Sequence, residues 1–337
     1  PDAASVPSIT VVIPARDEVD RVEAAVVPLV GAPAVSEIVV VDDGSTDDTA
    51  MVASAAGARV LRVECAPGWA GKTGALQHGL ERATGEWVVF LDADTRADRQ
   101  LPLAAVQRAR SDGFDLVSVA ARVRPASIAT TAVHASLLAT VVARFGAPGG
   151  NMPSGRELVS GQCIVLRRAT ALGWGGFAPV ADSTVEDVAL ARHLTETGRR
   201  VAFLDGTDML AVESYGSFRG TVTGWGRSIG LPGVDPVWRR AVDAAVAILI
   251  GPLVVARLLG RRADVVDVAA LGLRLGILFG AARAFERPRS GYWLSPVLDP
   301  VAAGVLAVDL FRRRTTWRGR VVDRGRRLAR TEARSGP

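Results

Sequence analysis

The chain has 337 residues, of which 49% are hydrophobic and only 5% aromatic, so Ala, Val and Leu supply most of its packing. This length is enough for one large domain or two modest ones with a buried core. The two cysteines, Cys65 and Cys163, are far apart, with no CxxC pair and no His nearby at ligand spacing. This pattern argues against a structural zinc site and against a disulfide framework.

The net charge of +5 is concentrated near the C-terminal end of the sequence. Residues 312–334 contain ten Arg and only two acidic residues, a net of +8, which leaves −3 for the remainder. A basic tail on a nearly neutral body favours contact with an anionic membrane surface or with nucleic acid. The alternative is a solvated, disordered end.

The first 125 residues alternate predicted strands and helices. The strands are predicted at Ile9–Ala15, Glu37–Asp43, Arg59–Glu64, Glu86–Asp94 and Asp115–Val123. The helices between them are predicted near 19–30, 46–56, 72–83 and 99–111. Such alternation predicts an α/β fold with a doubly wound, mostly parallel sheet, whose right-handed crossovers bring the strand C-termini to one edge.

The middle of the chain is predicted to be less regular. We expect residues 124–158 to be irregular, Gln162–Leu166 and Arg200–Leu204 to form further strands, and a helix to begin near Val185.

Three apolar stretches follow residue 240 and predict a hydrophobic helical C-terminal region. They are Ala244–Ala256, Val265–Phe285 and Val297–Phe311. Arg274, Asp299 and Asp309 interrupt them, Gly251-Pro252 breaks the first, and none reaches the ~18 uncharged residues of a confident spanning helix. We therefore expect part of this region to lie in the membrane interface or to re-enter it, the alternative being a buried helical subdomain. The predicted division is 1–230, 231–311 and 312–337.

Four polar segments lie at the predicted C-terminal edge of the sheet. They are IPARDE (13–18), VDDGSTDDT (41–49), APGWAGKTGA (66–75) and LDADT (91–95). One acidic strand end is ordinary and is explained by helix capping, but four on one edge favour a nucleotide site. Asp92 and Asp94 repel each other there unless a cation compensates them.

The segment GWAGKT resembles a phosphate loop but lacks its first glycine, because Ala66 stands in that place. We therefore exclude a Walker-type ATPase. Lys72 still begins a helix, where it is expected to meet a phosphate as a point charge or to remain solvated.

The motifs VVIPARDE, VVVDDGSTDDT, GWAGKTGALQHGLERATGEWVVFLDADT and VEDVALARHL resemble family 2 glycosyltransferases of the GT-A fold, over roughly residues 8–230. The PGWxGK form, GQC and the hydrophobic C-terminal third are similar to bacterial enzymes that glycosylate isoprenoid lipids such as carotenoids or hopanoids.

The resemblance implies a nucleotide-sugar site and a divalent cation, Mg²⁺ or Mn²⁺. It makes Asp94 the direct metal ligand and places Asp92 nearer the nucleotide, since hard cations prefer carboxylate and phosphate oxygens. The nucleotide-sugar site is expected to comprise Pro14, Ala15, Arg16, Glu18, Asp43, Lys72, Asp92, Asp94 and Arg227.

The resemblance also implies a catalytic base at the start of a helix. Glu186 and Asp187 open the predicted helix, where the dipole should keep a carboxylate ionised, and the resemblance assigns the base to Asp187. Ordinary acidity at a helix start is the alternative. A base opposite the leaving group implies single displacement with inversion.

The acceptor side is expected to include Gly161, Gln162 and Trp225. GWGRS (224–228) stands where processive members carry QxxRW, which puts polymer synthesis in doubt. The three histidines, His78, His134 and His193, are interpreted as packing or surface residues.

We therefore expect inverting, metal-dependent transfer of one sugar, from a UDP-sugar, to a lipophilic isoprenoid-type hydroxyl. The expected location is the cytoplasmic face of the cell membrane, on an anionic surface, with no nucleic acid as partner. The alternatives are a polyprenyl-phosphate sugar synthase, a nucleotidyltransferase, and a catalytically silent nucleotide-sugar-binding membrane scaffold.

Overall fold

The structure is a computed structural model. It describes residues 6–64, 68–70, 72–150, 152, 155–286, 290–312, 314–317 and 320–323. Cys65, Ala66, Gly71 and most of the Arg-rich tail lie outside the described residues, so the predictions for them remain predictions.

A seven-stranded sheet occupies the centre of the first two thirds of the chain. Its strands are β1 (Ile9–Ala15), β2 (Val35–Asp42), β3 (Arg59–Arg62), β4 (Trp87–Leu91), β6 (Leu116–Ala120), β8 (Cys163–Arg167) and β9 (Val201–Asp205). Their order across the sheet is β3-β2-β1-β4-β8-β6-β9. All pairs are parallel except those that β8 makes with β4 and β6. The predicted doubly wound, mostly parallel sheet is confirmed.

Helices cover both faces of this sheet because its central strands are apolar on both sides. On one face lie α1 (Val22–Val26), α2 (Thr49–Ala55) and α4 (Leu101–Asp112). On the other lie α3 (Thr73–Arg82), α6 (Arg168–Gly173) and α7 (Glu186–Glu196). Within β1, Val11 and Ile13 pack into the first layer and Val12 into the second. Complete burial of each such side chain contributes roughly 1.5–3 kcal/mol.

A second, three-stranded sheet lies beside the C-terminal edge of the first. It consists of β5 (Thr95–Ala97), β7 (Arg122–Arg124) and β10 (Leu210–Glu213), in the order β5-β10-β7. The single strand predicted for Asp115–Val123 is therefore wrong, because the chain leaves the main sheet after Ala120 and joins the small one at Arg122. Strand β4 ends at Leu91, so Asp92 and Asp94 lie in the turn that follows it.

The long helix α5 (Ile128–Phe145) occupies a segment that was predicted to be irregular. It begins with a capping box, in which Ser127 and Thr130 satisfy each other's backbone N–H groups. It packs against helices from the C-terminal third and is apolar almost all round, so it lacks the one-sided pattern of a surface helix. Its Thr and Val residues also have low intrinsic helix propensity.

Helices make up most of the rest of the described chain. They are α8 (Phe218–Trp225), α9 (Val237–Ile248), α10 (Val254–Leu259), α11 (Val265–Gly280), α12 (Ser290–Trp293) and α13 (Asp299–Phe311), and a hairpin of β11 (Arg314–Trp317) and β12 (Arg320–Asp323) follows them. A π-helical segment, Leu249–Leu253, joins α9 to α10. The break predicted at Gly251-Pro252 is therefore wrong, because the π turn accommodates the proline inside a continuous helix.

Charged residues that interrupt the apolar stretches are paired inside this helical region. The Arg274 Nε donates to Asp299 Oδ2 at 2.8 Å, and Ser136 Oγ donates to Asp299 Oδ1 at 2.8 Å. The Arg240 guanidinium lies 2.7 Å from the Asp309 carboxylate. These residues therefore join α5, α9, α11 and α13 and do not mark loops.

In the part of the chain that the structure describes, two helices are long and apolar enough to cross a membrane by length and composition. Ile128–Phe145 has a mean hydropathy of 1.4 and is 56% buried, whereas Val237–Leu259 has a mean hydropathy of 2.1 and is only 22% buried. The first is a core helix in this structure. The second presents most of its apolar surface outward, which makes it the stronger candidate for contact with lipid.

Candidate active site

The ends of β1 and β2 form one wall of the site. The Arg16 Nη1 donates to the backbone oxygen of Asp43 at 2.6 Å, and the Glu18 N–H donates to Thr49 Oγ1 at 2.8 Å. Pro14, Arg16 and Glu18 line a large cavity at this edge. Ala15 and Asp43 are buried, with Asp43 only 1% exposed, and neither lines the cavity. Five nucleotide-binding residues were predicted at these two strand ends. Three of them therefore line the cavity, and the other two are buried behind its wall.

The turn after β4 brings two carboxylates to the same cavity. Burial and the neighbouring charge of Asp92 raise the pKa of Asp94 to about 6. Among the described residues, no group of three or more His, Cys, Asp or Glu side chains is placed to hold a metal ion. Asp92 and Asp94 nevertheless suit Mg²⁺ or Mn²⁺, because two like charges at one site favour a cation and a bound diphosphate would supply further oxygen ligands.

Lys72 joins the two acidic pairs of the site. Its Nζ lies 2.6 Å from Asp92 Oδ1 and 3.3 Å from Glu186 Oε1. Burial alone would lower the pKa of Lys72, but the charges of Asp92 and Glu186 raise it above its ordinary value. Lys72 was predicted to meet a phosphate; in this structure it binds carboxylates and holds the strand-end pair beside the helix-start pair.

Glu186 and Asp187 begin α7, as predicted. Asp187 Oδ2 accepts the Gly161 N–H at 2.7 Å, and its Oδ1 accepts the Val188 N–H at 2.8 Å. Burial raises the pKa of both carboxyls, for Glu186 to about 7, although Lys72 opposes the shift. The effect of burial on the pKa is therefore larger than the effect of the helix dipole, which was expected to keep these carboxyls ionised. A pKa raised in this way lies closer to neutral pH, as a general base requires.

The turn before β8 closes the site from behind. A side chain on Gly161 would lie 3.2 Å from both Lys72 Nζ and Asp187 Oδ2, so glycine permits this close approach. The backbone oxygen of Gln162 accepts the Asp92 N–H at 3.1 Å. Gln162 lines the cavity and Gly161 does not, so Gly161 acts here through its backbone, as a support for Asp187.

Trp225 and Arg227 line the cavity, together with two residues that the sequence analysis did not single out. Tyr215 accepts a hydrogen bond from Arg227 Nη2 at 3.5 Å and packs so closely on Gly224 that a side chain there would overlap its ring. Arg21 pairs with Glu18 at 3.0 Å. Neither Tyr215 nor Arg21 belongs to a motif, so only the folded arrangement reveals them.

His134 also lines the cavity, whereas the other two histidines do not. It packs edge-on against Trp225 and Phe285, which agrees with its interpretation as a packing residue. His78 Nδ1 lies 2.8 Å from the backbone oxygen of Gly74 in its own helix.

The cavity has a volume of about 1200 Å³ and two chemically different ends. The carboxylates and Lys72 line one end. The other end lies between α5 and α11, and much of its wall is apolar, with Leu138, Val142 and Ile277 among its residues. The site can therefore place a charged donor beside an apolar molecule.

Two known proteins are similar in sequence to a segment of this chain. A 4,4'-diaponeurosporenoate glycosyltransferase of Staphylococcus aureus is 38% identical over 89 residues, which is 26% of this chain and 24% of that protein. A glucosyl-3-phosphoglycerate synthase of Mycolicibacterium paratuberculosis is 45% identical over 94 residues, 26% of this chain and 28% of that protein. The matched segments thus span about a quarter of the length of each relative.

One solved structure has a similar fold over most of the length of this chain. A mannosyltransferase from Pyrobaculum calidifontis, in complex with GDP-Man and Mn²⁺, has a TM-score of 0.54 at 20% identity and covers 92% of this chain and 89% of that one. Residues 10–158 match the family model described as "Glycosyl transferase family 2". Residues 10–158 of this chain are therefore similar to family 2 glycosyltransferases.

Proposed function

We propose that the chain is an inverting, metal-dependent glycosyltransferase. It transfers a single sugar from a nucleotide-diphospho-sugar, a UDP-sugar in the first instance, to a lipophilic isoprenoid-type hydroxyl. The observation that carries this proposal is one cavity that contains both acidic pairs, Asp92 with Asp94 and Glu186 with Asp187, and continues into an apolar end. The similarity of part of the chain to a 4,4'-diaponeurosporenoate glycosyltransferase supports the proposal.

On the donor side, Pro14, Arg16 and Glu18 contact the nucleotide. Asp92 and Asp94 would hold the divalent cation, which would supply positive charge to stabilise the leaving diphosphate. Lys72 keeps Asp92 in place through its 2.6 Å contact.

On the acceptor side, Asp187 takes the proton of the attacking hydroxyl. Its contacts with Gly161 and Val188 fix the orientation of the carboxylate, so that a free lone pair is presented to the acceptor. The hydroxyl oxygen forms a bond to the anomeric carbon as the bond to the diphosphate breaks, and the nucleotide diphosphate leaves. Attack from the opposite face inverts the anomeric configuration.

We further propose that the chain works at the cytoplasmic face of the cell membrane. The exposed side of the Val237–Leu259 helix and the exposed Val265, Val266 and Phe279 of α11 offer apolar surface to lipid. Arg261 and Arg262 are exposed at the turn between these helices, where each would contribute on the order of 1 kcal/mol on an anionic surface. Flotation with anionic liposomes at low salt tests this, and a chain that stays soluble without detergent and leaves the liposomes untouched contradicts it.

The catalytic proposal is tested by incubating the full chain in detergent with a panel of nucleotide sugars and measuring nucleotide diphosphate release. Excess chelator should abolish release, and Mg²⁺ or Mn²⁺ should restore it. Asp94→Asn should lower turnover by at least ~10²-fold, the scale of losing one strong electrostatic stabiliser. Asp112→Asn, a surface change on α4, is the matched control. Full turnover in excess chelator would contradict the metal dependence, and no release from any donor would favour a silent binding protein.

A further inference from the structure

The cavity is larger than a single small ligand requires. The whole space of about 1200 Å³ exceeds the roughly 300–1,000 Å³ of pockets that bury an ordinary small ligand. Arg144 lies on the wall of this end, and its guanidinium is bonded to Asp243 and to the backbone oxygen of Ile229. A glycan or a second nucleotide would need many polar partners, whereas a hydrocarbon chain needs only the apolar wall.

One side of α11 keeps this end open to the surface. Gly276 and Gly280 line the cavity one turn apart, and a Cβ on either would meet no atom within 4 Å. Both glycines are exposed, and they lie beside Leu273 and Phe279, which are 56% and 68% exposed. The opening is therefore continuous with the apolar surface that we propose faces lipid.

A buried polar group lies further inside. His134 lines the cavity and is only 7% exposed, and its Nδ1 has no hydrogen-bond partner among the described residues. Burial lowers the pKa of His134 to about 4, so the imidazole is neutral near pH 7. A neutral imidazole offers one N–H donor and one acceptor nitrogen. The Nδ1 itself has almost no accessible surface, so it faces packed side chains and not the cavity, and His134 is a packing residue of this wall.

We propose that the apolar end between α5 and α11 holds the hydrocarbon chain of the acceptor lipid, which enters past Gly276 and Gly280; this rests on the function proposed above. His134 contacts Trp225, and Trp225 neighbours the Gly224 on which Tyr215 packs. Burial raises the pKa of Tyr215, and Asp94 and Asp92 lie close enough for their charges to raise it further, so this wall of the cavity extends from the apolar end to the carboxylates.

The test uses photo-crosslinking of the full chain in detergent with diazirine-bearing farnesol and geranylgeraniol, and locates the adducts by mass spectrometry. Adducts are expected on peptides of α5 and α11. Gly276→Phe should lower the crosslinking yield at least about 5-fold, because its ring would fill open space in the cavity. It replaces a helix-interior glycine, so it should not lower the stability. Gly304→Phe, at an exposed glycine of α13 that also has no atom within 4 Å, is the matched control and should crosslink like the parent.

A second variant separates filling of the cavity from any change of its wall. His134→Phe keeps the ring contacts of a packing residue, and the crosslinking yield should stay within about twofold of the parent. Adducts spread over the exposed helices and unchanged by Gly276→Phe would overturn the inference. Donor-dependent release of nucleotide diphosphate by the parent chain is measured separately: release without cavity adducts overturns this inference alone, whereas no release with any donor overturns the proposed function.

Discussion

Replacing Asp187 with Asn should abolish most of the transfer while leaving donor binding intact. Loss of a general base costs ~10²–10⁴-fold in rate, which is roughly 3–5 kcal/mol of barrier. The structure adds a second effect, because each carboxylate oxygen of Asp187 accepts one backbone N–H, from Gly161 and from Val188. Asn has only one such oxygen, so its NH₂ group must face one of these donors. We expect the free energy of unfolding to fall by about 1–3 kcal/mol.

The two effects are measured separately. The transfer rate at saturating donor gives the catalytic loss, thermal unfolding gives the structural loss, and titration with the nucleotide diphosphate and Mn²⁺ gives donor-side affinity. Asp112→Asn is the matched control: it removes only a surface ion pair with Arg108, so it should leave transfer and donor affinity unchanged and lower the free energy of unfolding by less than about 1 kcal/mol. Transfer within about threefold of the parent would refute the assignment of the base to Asp187, and Glu186→Gln would then be the variant to examine.

Three further predictions concern packing, the cavity wall and pH. Asp299→Ala should destabilise the protein by about 3–5 kcal/mol, measured by denaturant unfolding, because it leaves the buried Arg274 charge without its partner; a loss below about 1 kcal/mol would contradict this. Gly224→Ala should lower kcat/KM at least about 10-fold, because its methyl group displaces the Tyr215 ring; unchanged kinetics would show that Tyr215 has no part in the site. Burial would raise the pKa of Glu37, but hydrogen bonds from Arg59 and two threonines lower it in the folded protein. The ionised Glu37 carboxylate therefore stabilises the fold at pH values above its unfolded pKa, and this stabilisation is lost as the pH falls through the lowered pKa of the folded protein. Glu37→Gln should therefore cost about 1 kcal/mol at pH 7 and almost nothing in strong acid, and an equal cost at both pH values would contradict this.

The edge of the sheet was predictable because it depends on local patterns. Apolar runs of strand length, each followed by polar residues, predict the ends of β1 and β2 to within about one residue, and right-handed crossovers bring the strand ends together. Asp92 and Asp94 therefore lie near Pro14 and Glu18, as expected. The predicted end of β4 at Asp94 is wrong, because the strand already ends at Leu91. The start of α7 at Glu186 was also predictable from its acidic first turn.

The backbone hydrogen bonds that hold the carboxylates of the site in place were not predictable, because they depend on pairing between segments that are distant in the sequence. Strand β8 inserts antiparallel between β4 and β6, and this insertion alone brings the Gly161 N–H to Asp187 and the Gln162 oxygen to Asp92. Helix α5 escaped prediction because burial on all sides removes its amphipathic pattern. Its position makes it a wall of the cavity, so the shape of the apolar end could not be foreseen either.

The most direct test of the central claim is whether sugar moves from a nucleotide donor to a lipid. Full-length protein in detergent, given Mn²⁺, a radiolabelled nucleotide sugar chosen from the panel, and farnesol or geranylgeraniol, should transfer label into the organic phase as a glycosylated alcohol of inverted anomeric configuration. The label should remain in water when chelator is present. Release of nucleotide diphosphate with all label left in water, or label recovered only on polyprenyl phosphate supplied in place of the alcohol, would contradict transfer to a lipophilic hydroxyl.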